Sequence, residues 1–311
     1  MRVLRGDYDK WEALNGPTWI TIGFFDGVHV GHQSILAALR ERAGAGTVGV
    51  VTFREHPAVL LRPEAAPLML TSLEQRLELL ESYDADVVAV LEFEQVREME
   101  PAGFVSTIVD GVLNGVHVAV GMGFRFGHNA GGNEQVLAKL GEEFDFSVEV
   151  VDIMGGDNPV SSTVVREALA RGDVESAAAK LGRLFQLRGA VVAGDRRGRR
   201  IGFPTANLEL DPRRAVPQHG VYSALTRVAD GTWHPSVVNI GVRPTFGGMT
   251  RVVEVHLLDE SLDLYGQELH LEFVTRIRPE RRFDGIDELV EQIGRDIQVA
   301  RQDLAVHASN S

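Results

Sequence analysis

Residues 23–32 read G-F-F-D-G-V-H-V-G-H. The apolar, β-like stretch Trp19-Ile20-Thr21-Ile22 precedes them, and residues 33–42 follow with helical spacing. His29 and His32 therefore stand where a strand hands over to a helix. Backbone N–H groups at a helix start attract anions, and glycine lets a phosphate approach the chain closely. Gly23, Phe24, Gly27 and Gly31 shape that approach, and the two histidines can add N–H donors. Asp26 either orients a histidine or occupies the turn. Asp26 and the histidines could instead hold a metal, although their spacing is not a strong zinc pattern. Each histidine alone reads as structural; together, on a strand–loop–helix junction, they point to a phosphate site.

Around this loop, strand-like and helix-like segments alternate. Residues 47–53, 86–93, 116–120 and 146–152 read as strands. Residues 72–83, capped by Ser72, and residues 101–113 and 133–140 read as helices. The alternation predicts a mostly parallel sheet with helices on both faces. Two helices follow, 162–171 and 174–181, broken at Gly172-Asp173. Past residue 184 the pattern changes to short β-like segments bounded by Gly, Pro, Asp and Asn: 187–193, 220–228, 233–240, 251–258 and 268–277. That spacing predicts an antiparallel barrel or sandwich. Residues 283–304 have helical periodicity and would close this second half, with a frayed tail from His307. The expected division is 1–184 and 185–311.

A chain of 311 residues with 44% hydrophobic content has enough apolar material for two cores. No apolar run approaches the roughly 20 residues that span a bilayer. The start, Met1-Arg2-Val3-Leu4-Arg5-Gly6-Asp7, lacks the apolar core of a signal peptide. Cysteine is absent, which excludes disulfides and thiolate metal sites. A cytoplasmic location is the default expectation. The formal net charge of -13 argues against broad nucleic-acid binding. Small anionic substrates stay open, since local fields decide those.

Two further segments carry candidate chemistry. Ser161, Ser162 and Thr163 place hydroxyls at a helix start with Arg166 one turn inside, which suits either a triphosphate or an ordinary cap. Residues 194–208 form a glycine-punctuated basic loop running into an extended segment. Within it, Thr205 and Asn207 project from one face if the chain is extended, a donor pair suited to Mg²⁺ on phosphates. On the residues alone, that loop is equally a solvated turn, and a nucleic-acid patch is disfavoured by the overall acidity.

The H-x-G-H loop with the later S-S-T-x-x-R resembles the nucleotidyltransferase superfamily. The longer run from Gly23 to His32 is narrower, with Thr52-Phe53-Arg54-Glu55-His56-Pro57 and Gly121-Met122-Gly123-Phe124-Arg125-Phe126-Gly127 behind it. It resembles the prokaryotic bifunctional riboflavin kinase/FMN adenylyltransferase, or FAD synthetase, family. The second half strengthens the match through P-T-A-N at residues 204–207 and N-I-G-V-R-P-T-F-G-G at 239–248. Val253-Glu254-Val255-His256, Asp263-Leu264-Tyr265-Gly266 and Arg276-Ile277-Arg278-Pro279-Glu280 continue it.

The resemblance implies an α/β Rossmann-like nucleotidyltransferase domain, followed by an antiparallel riboflavin kinase-like β-barrel with a C-terminal helix. It implies phosphorylation of riboflavin to FMN and adenylylation of FMN to FAD, both with ATP and Mg²⁺. It assigns Glu254 as the kinase base and Thr205 and Asn207 as Mg²⁺–ATP ligands. Gly194, Arg199 and Gly202 join them around the nucleotide. His29 and His32 are the adenylyl-transfer histidines, and His56, Phe124, Arg278 and Phe283 are flavin contacts. Partners are the small molecules riboflavin, FMN and ATP, with no nucleic acid and no membrane, in a monomer or weak homo-oligomer. Glu55, Gly123 and Val164 depart from the family pattern. Gly123 stands where a polar side chain is usual. The alternative is therefore a riboflavin kinase whose first domain binds nucleotide or flavin but transfers adenylate poorly.

Overall fold

The computed structural model describes residues 1–152, 160–193, 198, 201–245, 248–260 and 262–310, with backbone alone for 243–245, 248–250 and 310. The chain packs into two compact units, Met1–Ser162 and Thr163–Ser311.

The first unit is a six-stranded parallel sheet. Its strands are β1 (Arg2–Leu4), β2 (Thr18–Ile22), β3 (Thr47–Phe53), β4 (Val87–Leu91), β5 (Gly115–Gly121) and β6 (Ser147–Val151), in the order β1-β4-β3-β2-β5-β6. The helices are α1 (Val30–Ala43), α2 (Pro57–Leu61), α3 (Leu73–Ser82), α4 (Phe93–Val96), α5 (Pro101–Phe104) and α6 (Glu134–Phe144). The two faces of the sheet bury alternate residues, as a period of two requires. Val87, Ala89 and Leu91 of β4 join one core cluster, and Val88 and Val90 join the other. Chain order runs outward from β2 through β3 to β4, then restarts at β5 on the opposite flank of β2. The crevice beyond the carboxyl ends of β2 and β5 is the switch point at which open α/β sheets take ligands.

The helix expected over 101–113 changes character inside. After α5, Val105–Val112 is wound more widely, with Leu113 N–H bonding to the Ile108 carbonyl. Such π-type turns are uncommon and apolar periodicity does not distinguish them.

The second unit begins with α7 (Ser162–Arg171) and α8 (Val174–Leu181). Within this unit α8 packs on β7 and β12 of the barrel. The barrel strands are β7 (Phe185–Val192), β8 (Ala206–Glu209), β9 (Gly220–Arg227), β10 (Trp233–Thr245), β11 (Gly248–Leu257) and β12 (Glu268–Pro279). They close in the order β10-β11-β8-β7-β12-β9, which settles barrel over sandwich. Tyr222, Val238, Ile240, Val253, Val255, Leu271 and Phe273 are buried and fill the interior. The last helix, α9 (Ile286–Asn310), lays Ala300 and Leu304 on Val221 and Val237 of the wall. It stays helical through His307 to Asn310, so the fraying expected from His307 is not found, although the last buried apolar residue of the helix is Leu304.

Candidate active sites

In the first unit, residues 23–29 leave the carboxyl end of β2 and enter α1. Two non-glycine residues in this loop have positive φ, Phe25 at 58° and Val28 at 38°, beside Gly27 at 79°. For a β-branched valine this is strained backbone, which persists only where the surroundings over-determine it. Asp26 does much of that holding. Its carboxylate, 2% exposed, accepts from the Leu70 N–H at 3.0 Å on both oxygens, and from the Thr71 N–H (3.0 Å) and hydroxyl (3.1 Å). Thr71 Oγ1 in turn accepts from the Gly27 N–H at 3.1 Å. Of the two roles open for Asp26, this is the turn: the carboxylate pins the loop to the segment entering α3. That segment carries a full capping box, Ser72 with Gln75.

The histidines meet as expected. His29 is the N-cap of α1, and its Nδ1 accepts from the His32 backbone N–H at 3.4 Å. This leaves the proton of a neutral His29 on Nε2. The two rings stack at 3.6 Å, and Phe25 tilts against His32 at 4.8 Å. His32 is held well below the usual histidine range, first by burial, then by His29 and Arg76. Gly31 is buried in the first turn of α1. Gly23 donates to the Val51 carbonyl, and a Cβ there would meet the Phe25 ring at 3.1 Å. Ser162 donates to the Asp26 carbonyl at 2.8 Å, which brings Ser162 to this loop. Thr163 and Arg166 lie past the division, in the second unit.

His56 caps α2 by accepting from Ala58 N–H at 3.1 Å, and its ring meets Phe24 edge-on at 4.7 Å. Phe124 stacks on Phe126 at 5.4 Å, just beyond the carboxyl end of β5. The loops after β2, β3 and β5 thus carry Phe24, His56 and Phe124 at one end of three adjacent strands. Gly123 has a φ of 82°, and nothing lies within 4 Å of where its Cβ would be. Glycine, asparagine and aspartate are the residues that best tolerate positive φ. The variation at this position therefore has a backbone account, independent of any lost side-chain hydrogen bond.

Sequence reasoning missed Arg76. This α3 residue is 3% exposed, and its guanidinium donates to the carbonyls of Phe24 (2.9 Å), Phe53 (2.5 Å) and Arg54 (3.3 Å). It also lies 4.3 Å from the centroid of the Phe24 ring. Burial pushes it down to about 10, so it stays charged at neutral pH. Its helical spacing gave no signal beyond an arginine on an amphipathic helix.

In the barrel, one transverse row of residues crosses five strands. The pairings are Arg278 with Val221, Val221 with Asn239, Asn239 with Glu254, and Glu254 with Asn207. Directly opposed residues share a face of the sheet, and all five line one cavity of about 370 Å³, within the range of small-molecule sites. Leu289, Ile293 and Asp296 of α9 form its far side. Asn239 Nδ2 donates to Glu254 Oε2 at 3.4 Å. Glu254 is therefore not a solvent-facing strand residue. Thr205, one step before β8, lines the same cavity as Asn207, as the extended geometry predicts.

Thr205 also lines a second cavity of about 690 Å³, together with Gly202, Pro204, Leu262 and Tyr265. His256 donates from Nδ1 to the Pro204 carbonyl at 2.8 Å, beyond the last β8–β11 pair, and so holds the start of the P-T-A-N segment against β11. Arg278 and Phe283 line the first cavity, but the Arg278 guanidinium is engaged by Asp296, at 3.0 Å from Nε to each oxygen and 2.8 Å from Nη2. Arg281 covers the Phe283 ring at 4.5 Å. Gly194 and Arg199 lie outside the described residues. Among the described residues no three His, Cys, Asp or Glu side chains converge as a metal cluster. The hydroxyl and amide oxygens of Thr205 and Asn207 are hard donors that fit Mg²⁺ shared with substrate phosphates.

Comparison with known proteins covers both units. A family model described as FAD synthetase matches residues 12–164, and one described as riboflavin kinase matches residues 181–304. The bifunctional riboflavin kinase/FMN adenylyltransferase of Escherichia coli (strain K12) is 37% identical over 97% of both chains. Its counterpart from Pseudomonas fluorescens is 41% identical over 97% of both. A crystal structure named as a macrolide-efflux protein from Streptococcus pneumoniae superposes with a TM-score of 0.87 at 28% identity, covering 97% of this chain and 99% of that one. Among the described residues no helix is long and apolar enough to cross a membrane. With both family models matched and whole-length relatives of this kind, the chain belongs to the bifunctional riboflavin kinase/FMN adenylyltransferase family.

Proposed function

We propose that the barrel phosphorylates riboflavin and the parallel-sheet unit adenylylates the resulting FMN, with the residues above in the following roles. Glu254 takes the proton of the ribityl 5′-hydroxyl as that oxygen attacks the γ-phosphorus of ATP, and ADP leaves. The carrying observation is the row Asn207–Glu254–Asn239 facing one cavity, with Thr205 on the wall shared with a second. Riboflavin takes the smaller cavity and ATP the larger, so the reacting phosphate sits beside Thr205. Thr205 and Asn207 would hold Mg²⁺ together with phosphate oxygens; when bound, it offsets phosphate charge and orients the leaving group. Arg278 serves the flavin side through its pairing with Asp296, which fixes the cavity wall.

In the first unit, a phosphate oxygen of FMN attacks the α-phosphorus of ATP and pyrophosphate leaves. Negative charge builds on the phosphoryl oxygens in that step. The His29 Nε2–H, the single N–H of a neutral His32 and the amides opening α1 are the donors that meet it. Gly23, Gly27 and Gly31 keep the approach open, and Asp26 holds the loop. Ser161 and Ser162 serve the same nucleotide, and His56 and Phe124 face its flavin partner. The substrates are small molecules, and the enzyme works in the cytoplasm as a monomer or weak homo-oligomer.

The test resolves flavins by chromatography after incubation with ATP and Mg²⁺. Glu254→Gln should lower FMN formation from riboflavin by about 10²- to 10⁴-fold, the usual contribution of a general base. FAD formation from added FMN should be spared. Equal loss of both reactions would contradict the division of roles.

A further inference from the structure

The strained loop between β2 and α1 is held from two sides. Asp26 fixes its middle. Its beginning is fixed at the Phe24 carbonyl, which accepts from both Arg76 Nη1 (2.9 Å) and the Thr52 hydroxyl (3.0 Å). That carbonyl belongs to the peptide entering Phe25, the first residue with positive φ. The other end of the same guanidinium holds the Phe53 and Arg54 carbonyls, where β3 gives way to the segment carrying His56. One planar fork therefore ties the loop of His29 and His32 to the loop of His56. Between them stands the Phe24 ring, on Arg76 at one face and meeting His56 at its edge. Only arginine offers several donors in a fixed plane; a lysine ammonium is a single point charge on a flexible stem.

We propose that Arg76 is a positioning residue for adenylyl transfer, setting the distance between the phosphate loop and the flavin-side loop by bonding the carbonyls of both. This inference rests on the assignment of the first unit's chemistry to His29 and His32. Substrates bind at both loops, so a shift between them separates the attacking phosphate from the α-phosphorus. A misplacement of about 1 Å costs on the order of 10²-fold in rate.

The experiment uses the full-length protein, with FAD formation from FMN and ATP–Mg²⁺ as the readout and riboflavin phosphorylation as the internal control. Arg76→Lys keeps the charge and loses the fork. It should lower kcat for FAD formation at least tenfold, with KM for ATP changed by less than about threefold. Arg76→Met should lower kcat about a hundredfold. Thr52→Val, which removes the second donor to the Phe24 carbonyl, should lower it by about threefold to tenfold. FMN formation should be unchanged in all three. Wild-type kcat in Arg76→Lys overturns the proposal, since charge alone would then suffice. A lowered melting temperature with unchanged FAD turnover in Arg76→Met also overturns it, since the role would be structural. If Arg76→Met does not fold in its first unit, Arg76→Lys decides. His29→Asn and His32→Asn are run beside them. Full FAD formation in those two would sink the site assignment itself, an outcome distinct from failure of the Arg76 variants.

Discussion

Asp26→Asn separates a residue that holds the loop from one that touches the substrate. The carboxylate receives three donors, the N–H groups of Leu70 and Thr71 and the Thr71 hydroxyl, all at 3.0 to 3.1 Å. Bonds to a charged acceptor are worth about 1.5–3 kcal/mol each, against about 0.5–1.5 for neutral ones. Neutralising the acceptor therefore removes about 1 kcal/mol from each, or about 3 kcal/mol in all. Asparagine adds a conflict. With its oxygen toward Thr71, its NH₂ faces the Leu70 N–H, donor against donor. The total is about 3–4 kcal/mol, which for a unit of this size lowers Tm by roughly 10 °C. The assay heats the protein in steps, cools it, and measures residual FAD formation with FMN formation as the internal reference. Well below the new transition, FAD formation should fall less than about tenfold. Wild-type thermal stability together with abolished FAD formation would refute this, because the carboxylate would then act on the substrate.

Gly123→Asn should leave FAD formation within about threefold of wild type, because asparagine accepts the 82° φ and the space is open. Gly123→Val should cost about 1–3 kcal/mol from backbone strain alone, measured by denaturant unfolding. His32 gives a pH dependence. Its folded-state value lies well below the ordinary 6.5 of the unfolded chain, so the unfolded state binds more protons between the two values. The first unit should therefore be most stable above pH 6.5 and lose stability as pH falls through that window. His32→Gln should flatten the slope in urea unfolding followed from pH 8 to pH 5.

Much of the architecture was legible because the four central strands of the first unit are largely buried apolar runs and several barrel strands alternate. β3 and α8 have the bounds expected from pattern alone. β1 was not legible, since three residues show no periodicity. β8 was read only as an extended continuation of a basic loop, and its pairing with β11 was invisible. The site was half legible. His29, His32, Thr205, Asn207 and Glu254 come together by local spacing or strand alternation. Asp26 and Arg76 act through partners about 44 and 52 positions away, and Arg278 turned out to be engaged by a helix 18 positions on. Distances of that kind depend on topology, which spacing within one segment does not encode.

The row that crosses β12, β9, β10, β11 and β8 also limits how this chain can change in length. Side chains alternate with a period of two, so a slip of one residue in any of these strands sends its member of the row to the opposite face. A single-residue insertion in β11 that shifted its pairing would turn Glu254 inward among the apolar side chains and bring Val253 or Val255 to the substrate. Closure removes the usual escape, since no edge strand is free to move alone. Insertions and deletions should be tolerated in the hairpin connections, such as residues 228–232, and selected against within the strands, even where no catalytic residue is replaced.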